Sequence, residues 1–463
     1  MRLTTFGHAA VLVETGSERI LVDPWLTRRL DRFWERLPAV PDGLLDVLDG
    51  GVDHIVFSHH HFDHHHFPSL RMLSEDPEVD FDEPPARAAE THCVWPRHPG
   101  RPRPSVSGLG HQAIGWTLRR LGFTRTSGVQ PGDTVQLGDT LLRTSVSRVP
   151  FPEMTLLLEG PDATVMLCGD AMLHPDTEAW FSGPDAPGVD VALIPAHSIA
   201  PPGVLTERRP LGGIEDVQAR ARANFDRWTA TVDARLTIPS SFGWRVRAED
   251  GAFSWCNDAL FPFTPWQALE RLGETGRAGA LWGPGQTLEV AGGEAELSGT
   301  DHDFAALYEA VTLDPDVKIP AFSPEHDRVG AQREPTAELV GRLMDHLVGT
   351  ELWYRAVDNG DGHVLTVTED TGTPRHFALD FAGGRVLPFT GDTGGSGDMG
   401  DTDDGAGSTR IAGSTLQALF DAELLFGSSY GLWTSDDTVL SAVFHDPRWY
   451  VRHVNAELAR DGR

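Results

Sequence analysis

Apolar positions follow two rhythms along this chain. Through residues 1–245, apolar runs of strand length alternate with longer stretches in which apolar residues return at helical spacing. Residues 189–194 form one such run, and Ile214 to Trp228 follow with the helical pattern. Asp53-His54-Ile55-Val56-Phe57-Ser58, coming after Gly50-Gly51, reads as a buried strand that stops at Ser58. Thr164-Val165-Met166-Leu167 is a second strand, running into Cys168-Gly169-Asp170. Alternation of this kind predicts an α/β sandwich. Residues 246–300, with Trp255, Trp266 and Trp282, are expected to complete it. Residues 85–112 are rich in Pro, Arg, His and Gly, which predicts a surface excursion in the position of a lid.

Beyond Gly299 the rhythm changes. Residues 304–311 and 336–348 read as helices, 364–367 with 375–381 as a hairpin, and 414–425 as an amphipathic helix. Residues 391–407 are dominated by Gly, Asp, Ser and Thr and predict a disordered loop. Its aspartates, Asp392, Asp398, Asp401, Asp403 and Asp404, lack the spacing and closing Glu of a calcium loop. The chain is therefore expected to consist of a catalytic domain over residues 1–300 and a smaller α+β domain over 301–463. No internal repeat is present.

Composition narrows the partners. A length of 463 residues suffices for two or three domains with full cores. The net charge of −30 argues against nucleic acid and against an anionic membrane surface, since both need a basic face. Lys318 is the only lysine among the 38 basic residues, a bias read as coding background rather than function. There is no basic-then-apolar leader and no run of eighteen apolar residues, and three cysteines (Cys93, Cys168, Cys256) make no disulfide framework. A cytoplasmic location is the expectation.

The candidate chemistry lies where the strand ending at Ser58 stops. Residues 58–66 read Ser-His-His-His-Phe-Asp-His-His-His. Within them, His59-x-His61-x-Asp63-His64 places four donors on a turning chain. His59 and His61 can converge on one cation while Asp63 and His64, further round the turn, face a second. Imidazole with carboxylate suits zinc, iron or manganese. A surface polyhistidine loop is the bland alternative, but this run is internal and broken by Phe62 and Asp63. His60, His65 and His66 are expected to support the ligands or lie at the surface, because one metal pair cannot use every ring.

These residues carry a resemblance. His59-x-His61-x-Asp63-His64, together with the opening Phe6-Gly7-His8-Ala9-Ala10 and Ile20-Leu21-Val22-Asp23-Pro24-Trp25, resembles the metallo-β-lactamase superfamily. The resemblance implies a four-layer αββα sandwich with two metals at one edge, bridged by the carboxylate of a later Gly-Asp, here Asp170. It implies a place for His8 near the metal edge, and for Asp23 a carboxylate that orients a ligand histidine. Two departures stand out. Hydrolases of the superfamily carry a histidine before the strand preceding Gly-Asp, where this chain has Pro150-Phe151-Pro152-Glu153. They also close the domain with Pro-x-His, where this chain has Pro239-Ser240-Ser241. Glu153 is expected to replace the first ligand, and His197 or His174 the second.

Shorter stretches, among them Pro152-Glu153-Met154-Thr155, Pro239-Ser240-Ser241-Phe242-Gly243-Trp244 and Trp282-Gly283-Pro284-Gly285, resemble the metallo-β-lactamase-type portion of CMP-N-acetylneuraminate hydroxylase. That enzyme is an iron-dependent oxygenase with a Rieske domain, whose Cys-His ligand pairs this chain lacks. The 301–463 region is similar to the sterol-carrier-like accessory domain of some superfamily enzymes.

Three functions follow from the resemblance. The first is a non-haem iron oxygenase hydroxylating a small polar metabolite, with electrons from a separate ferredoxin or reductase. The second is a dinuclear zinc or manganese hydrolase of an ester, lactone or phosphoester. The third is a non-catalytic metal- or ligand-binding protein. The expected ligands are His59, His61, Asp63, His64, Glu153, Asp170 and His197, holding two divalent ions, iron first and zinc or manganese otherwise. Asp63 is assigned a catalytic role as well. Arg148 is expected to clamp an anionic substrate, and Arg245 shares that possibility with a plain ion pair.

Overall fold

A computed structural model describes residues 1–30, 34–74, 89–97, 112–149, 151–196, 214–246, 257, 261–309, 328–389, 407–424, 438–444, 449, 452 and 456. The chain divides into two compact units. The first comprises Met1–Ala200, Leu211–Val246 and Cys256–Val317, and the second Pro201–Pro210, Arg247–Trp255 and Lys318–Arg463.

Two sheets build the first unit. One has eight strands in the order Glu294–Gly299, Gln286–Ala291, Arg2–Gly7, Ala10–Glu14, Arg19–Val22, His54–Val56, His92–Pro96 and Thr126–Val129. The last four run parallel. The other has six strands in the order Leu236–Ser240, Val191–Pro195, Thr164–Leu167, Met154–Glu159, Thr140–Val146 and Thr134–Leu137, the first three parallel. Parallel strands bring their carboxyl ends to one edge of each sheet, which is where connecting loops can assemble a site.

The inner faces meet in one core. Val11, Val13, Ile20, Val22 and Val56 from the first sheet pack with Leu156, Leu158, Val165, Leu167, Val191 and Ile238 from the second. On the outer side of the second sheet, Met166, Ala192 and Ile194 pack with Phe225 and Trp228 of the helix Ile214–Val232 and with Ala268 and Leu272 of Pro265–Glu274. The helix Gln112–Arg120 covers the first sheet at His92–Pro96 and Thr126–Val129. The result is the expected αββα sandwich. Each helix presents one apolar stripe to a sheet, the arrangement that its 3.6-residue period permits.

Two sequence expectations need correction. Residues 92–96, assigned to a surface excursion, form a strand with Cys93 and Val94 fully buried. The apolar pair outweighs the flanking prolines. The helix expected to be amphipathic over 414–425 runs Gly413–Phe420 and is buried on every side, its polar Ser414, Thr415 and Gln417 included.

The second unit has a four-stranded sheet in the order Arg385–Pro388, Pro374–Asp380, His363–Thr368 and Gly407–Ala412. The expected hairpin is the antiparallel pair of its two central strands. Thr336–Leu347 buries Leu339, Val340, Leu343, Met344 and Leu347. The loop expected over 391–407 lies almost wholly outside the described residues. Among the described residues no helix is long and apolar enough to cross a membrane.

Candidate metal centre

The site grows from the ends of four strands. His8 follows Arg2–Gly7, Asp23 follows Arg19–Val22, the histidine run follows His54–Val56, and Asp170 follows Thr164–Leu167 on the opposite sheet. Two of the residues pay no regard to ordinary backbone preference. His8 has φ 53° and Asp23 φ 45°, both in the left-handed region that non-glycine residues rarely enter. Strain of this kind persists only where surrounding contacts hold it. Arg36, itself buried, supplies such contacts: its guanidinium donates to the carbonyls of Phe6 and Trp25 and lies 4.6 Å from the Trp25 ring centroid.

Asp23 organises the turn. One oxygen accepts from the Ser58 backbone N–H at 2.7 Å, and the other accepts from the Ser58 hydroxyl at 2.6 Å and from His64 Nδ1 at 2.8 Å. This fixes the His64 ring with Nε2 facing inward, 3.3 Å from Asp170 Oδ2 and 3.8 Å from Asp63 Oδ2. His64 Nε2 is buried without a hydrogen-bond partner. A buried polar atom left in this way is costly, and a cation is one occupant that would satisfy it.

Gly169 makes the approach of the two sheets possible. Its φ is +54°, and a Cβ placed there would lie 3.0 Å from the Ser58 hydroxyl. Behind the turn, the Ala171 carbonyl accepts from Trp228 Nε1 at 2.9 Å and from Asn224 Nδ2 at 3.3 Å, so the helix Ile214–Val232 anchors the segment that carries Asp170.

The donor atoms fall into two groups. His59, His64 and Asp170 present atoms within 4.8 Å of one another, and so do His8, Asp63 and His64. His61 joins the first side, its Nδ1 lying 2.8 Å from His59 Nε2. His8 Nε2 lies 3.0 Å from Asp63 Oδ2.

Charge within this cluster is uneven. Burial opposes charge on His64, yet Asp170, Asp63 and Asp23 around it raise its pKa well above the ordinary value. Burial also opposes ionisation of Asp63, but His64 and His8 hold its carboxyl well below the usual range. Burial and the neighbouring His64 and His61 push His59 far down, and burial lowers His8. A ring that resists protonation is ready to donate a lone pair to a metal.

Glu153 takes a different position from the other candidates. It is buried, with Oε1 3.6 Å from His59 Nδ1, on the side of that ring away from His61. Burial pushes its carboxyl up to about 8. It lies beside the His59 ring, whose Nδ1 is 3.0 Å from the Ser58 hydroxyl, and outside both groups of converging donors.

The remaining candidates are dispersed. Arg148 is exposed, and its backbone N–H donates to the Met172 carbonyl at 2.9 Å. His174 caps the helix Pro175–Phe181, its Nδ1 accepting from the Asp176 N–H at 3.1 Å. Arg245 pairs with Glu35 at 3.0 Å. His197 lies outside the described residues. His60, His65 and His66 are all buried rather than superficial, and His66 Nδ1 lies 2.8 Å from the Ser69 hydroxyl. Sequence reasoning missed Ser58, Asn224 and Trp228. Only Ser58, at the strand's end, left a local signal.

A sequence model of the beta-lactamase superfamily domain matches residues 2–144. A UPF0173 metal-dependent hydrolase of Pyrobaculum aerophilum is 28% identical over 206 residues, covering 43% of this chain and 73% of that protein. A UPF0173 metal-dependent hydrolase of Aeropyrum pernix is 44% identical over 60 residues, covering 13% of this chain and 20% of that protein. Among solved structures, the isothiocyanate hydrolase from Delia radicum gut bacteria superposes with TM-score 0.42 at 14% identity, covering 63% of this chain and 100% of that one. The diiron β-hydroxylase CmlA from Streptomyces venezuelae superposes with TM-score 0.41 at 15% identity, covering 65% and 54%. The family match covers residues 2–144 of this chain, and the curated relatives are named metal-dependent hydrolases.

Proposed function

Taking the chain as a protein of the metallo-β-lactamase superfamily, we propose that it is a dinuclear metal-dependent hydrolase of a small ester, lactone or phosphoester. The observation that carries this reading is His64 Nε2, buried without a hydrogen-bond partner between Asp170 and Asp63. Donors from two sheets converge there, and a mixed imidazole and carboxylate set suits zinc, manganese or iron. The curated relatives named metal-dependent hydrolases support the same chemistry.

His59, His61 and Asp170 would hold one ion, and Asp63 and His64 the other, with Asp170 shared. Bound ions of this kind lower the pKa of a water and polarise a carbonyl or phosphoryl oxygen. The chain's own part is positioning and proton handling. Asp23 and Ser58 lock the His64 ring, and the Ser58 hydroxyl also meets His59 Nδ1, with Glu153 beside that ring. Asp63, kept ionised by His64 and His8, can accept the proton of an attacking water. Arg148, exposed beyond the strand end, would attract an anionic group on the substrate.

One observation favours a second reading, an iron-dependent oxygenase served by a separate ferredoxin or reductase. Glu153 is a buried carboxyl with Oε2 unpartnered, in the position where superfamily hydrolases carry histidine. Turned towards the metals, it would make the set richer in carboxylate and shift preference to iron. The two readings separate in one experiment. Metal-stripped protein is reloaded with zinc, manganese or iron and assayed against esters, lactones and phosphoesters under anaerobic conditions. Turnover without oxygen supports the hydrolase. Turnover that needs iron, oxygen and a reductant overturns it in favour of the oxygenase.

A further inference from the structure

We infer that His8 is a ligand of the second metal ion, filling the place left by the Pro-x-His histidine that this chain lacks; the assignment rests on the dinuclear reading above. The usual position is occupied by Ser240 and Ser241. The Ser241 hydroxyl is committed to the Gly169 carbonyl at 2.6 Å. Both serines line a small cavity together with Asp23, Ser58 and Gly169. With Asp170 shared, Asp63 and His64 would bring the second ion to three protein donors, and His8 would supply the fourth of the three or four that zinc ordinarily takes.

His8 arrives from a different strand end. It follows the first strand of the chain, and its side chain is fully buried, with Nε2 3.0 Å from Asp63 Oδ2. Its ring centroid lies 4.9 Å from that of His64. Among the described residues, His8, Asp63 and His64 are one of two sets of donors that approach within 4.8 Å. The approach of His8 to Asp63 matches that of His59 to His61 at 2.8 Å, so each side of the site has a close donor pair. The backbone is also specialised to deliver this ring. Gly7 at φ 91° and His8 at φ 53° form a left-handed turn, and the Arg36 guanidinium holds the Phe6 carbonyl just before it.

The competing role is an imidazole that merely donates a hydrogen bond to Asp63. Substitution separates the two. Asn tolerates a left-handed backbone, so His8→Asn should fold, and His8→Gln retains an amide able to donate to Asp63. Neither is a good zinc ligand. Chelator-stripped wild type and both variants are titrated with Zn²⁺ against a competing dye, with elemental analysis after desalting and thermal melting as the check on folding. The expected result is two ions in wild type, with one tight ion kept by each variant and the second weakened by at least ~100-fold, beyond the usual effect of losing an orienting group. A His8→Gln protein that binds the second ion within about 10-fold of wild type overturns the assignment and leaves His8 as a positioning residue. A wild-type protein that binds fewer than two ions overturns the dinuclear reading itself, whatever the variants do.

Discussion

Asp23 and His64 meet at 2.8 Å across the ends of two parallel strands, and this contact sets which nitrogen of His64 faces the site. The Asp23 carboxylate accepts the Nδ1 hydrogen bond, which leaves Nε2 facing Asp170 and Asp63. The same carboxylate holds Ser58 through its backbone and its hydroxyl. Replacing Asp23 with Asn preserves size but removes an acceptor and the charge. Metal affinity, measured by chelator competition, is expected to fall by about 10–100-fold. Unchanged affinity would show that the ring is oriented by its packing alone.

Gly169, in the turn that carries Asp170, lies against Ser58 at the start of the turn that carries the histidines. Gly169→Ala meets both a positive φ and a Cβ 3.0 Å from the Ser58 hydroxyl. A loss of about 1–3 kcal/mol in urea unfolding is expected. A variant as stable as wild type would mean that Ser58 yields without cost.

Trp228 bonds the carbonyl of Ala171, the residue after Asp170. Trp228→Phe keeps most of the apolar bulk but loses that donor. Stability should fall by about 1–3 kcal/mol. Metal should also be lost more readily, because the Ala171 carbonyl then keeps the longer 3.3 Å bond from Asn224 and loses the shorter one. Full metal retention would separate the helix from the site.

Cys93 and Cys168 lie in the sandwich, fully buried, and burial pushes both thiols up. Alkylation with iodoacetamide followed by peptide mapping should leave both untouched in native protein and modify both in urea. Native labelling of either would contradict the packing described.

The histidine run was legible because its donors are contiguous, and Asp170 because Gly-Asp after an apolar strand is a local pattern. Asp23 could be placed for the same reason, at the end of a readable strand. His8 was visible only as a neighbour of the metal edge, since its 3.0 Å approach to Asp63 spans 55 residues of sequence. Glu153 shows the limit most clearly. Its position in the chain suggested a ligand, whereas the structure puts it against the far nitrogen of His59, a distinction of side-chain direction that sequence does not encode. The anchoring of Ala171 by Asn224 and Trp228 was unreadable because a core tryptophan on a helix has the same pattern whether or not its N–H serves a site. The strand at 92–96 was hidden by the proline-rich and arginine-rich residues around it.

The central claim is that donors from both sheets hold a pair of metal ions. Elemental analysis of the protein after stripping, reloading with Zn²⁺ and desalting tests it most directly, with Asp170→Asn as the companion. The account predicts about two ions per chain in wild type and a loss of metal when Asp170 is replaced. One ion or none in the wild type, or an Asp170→Asn protein that keeps both, would contradict it.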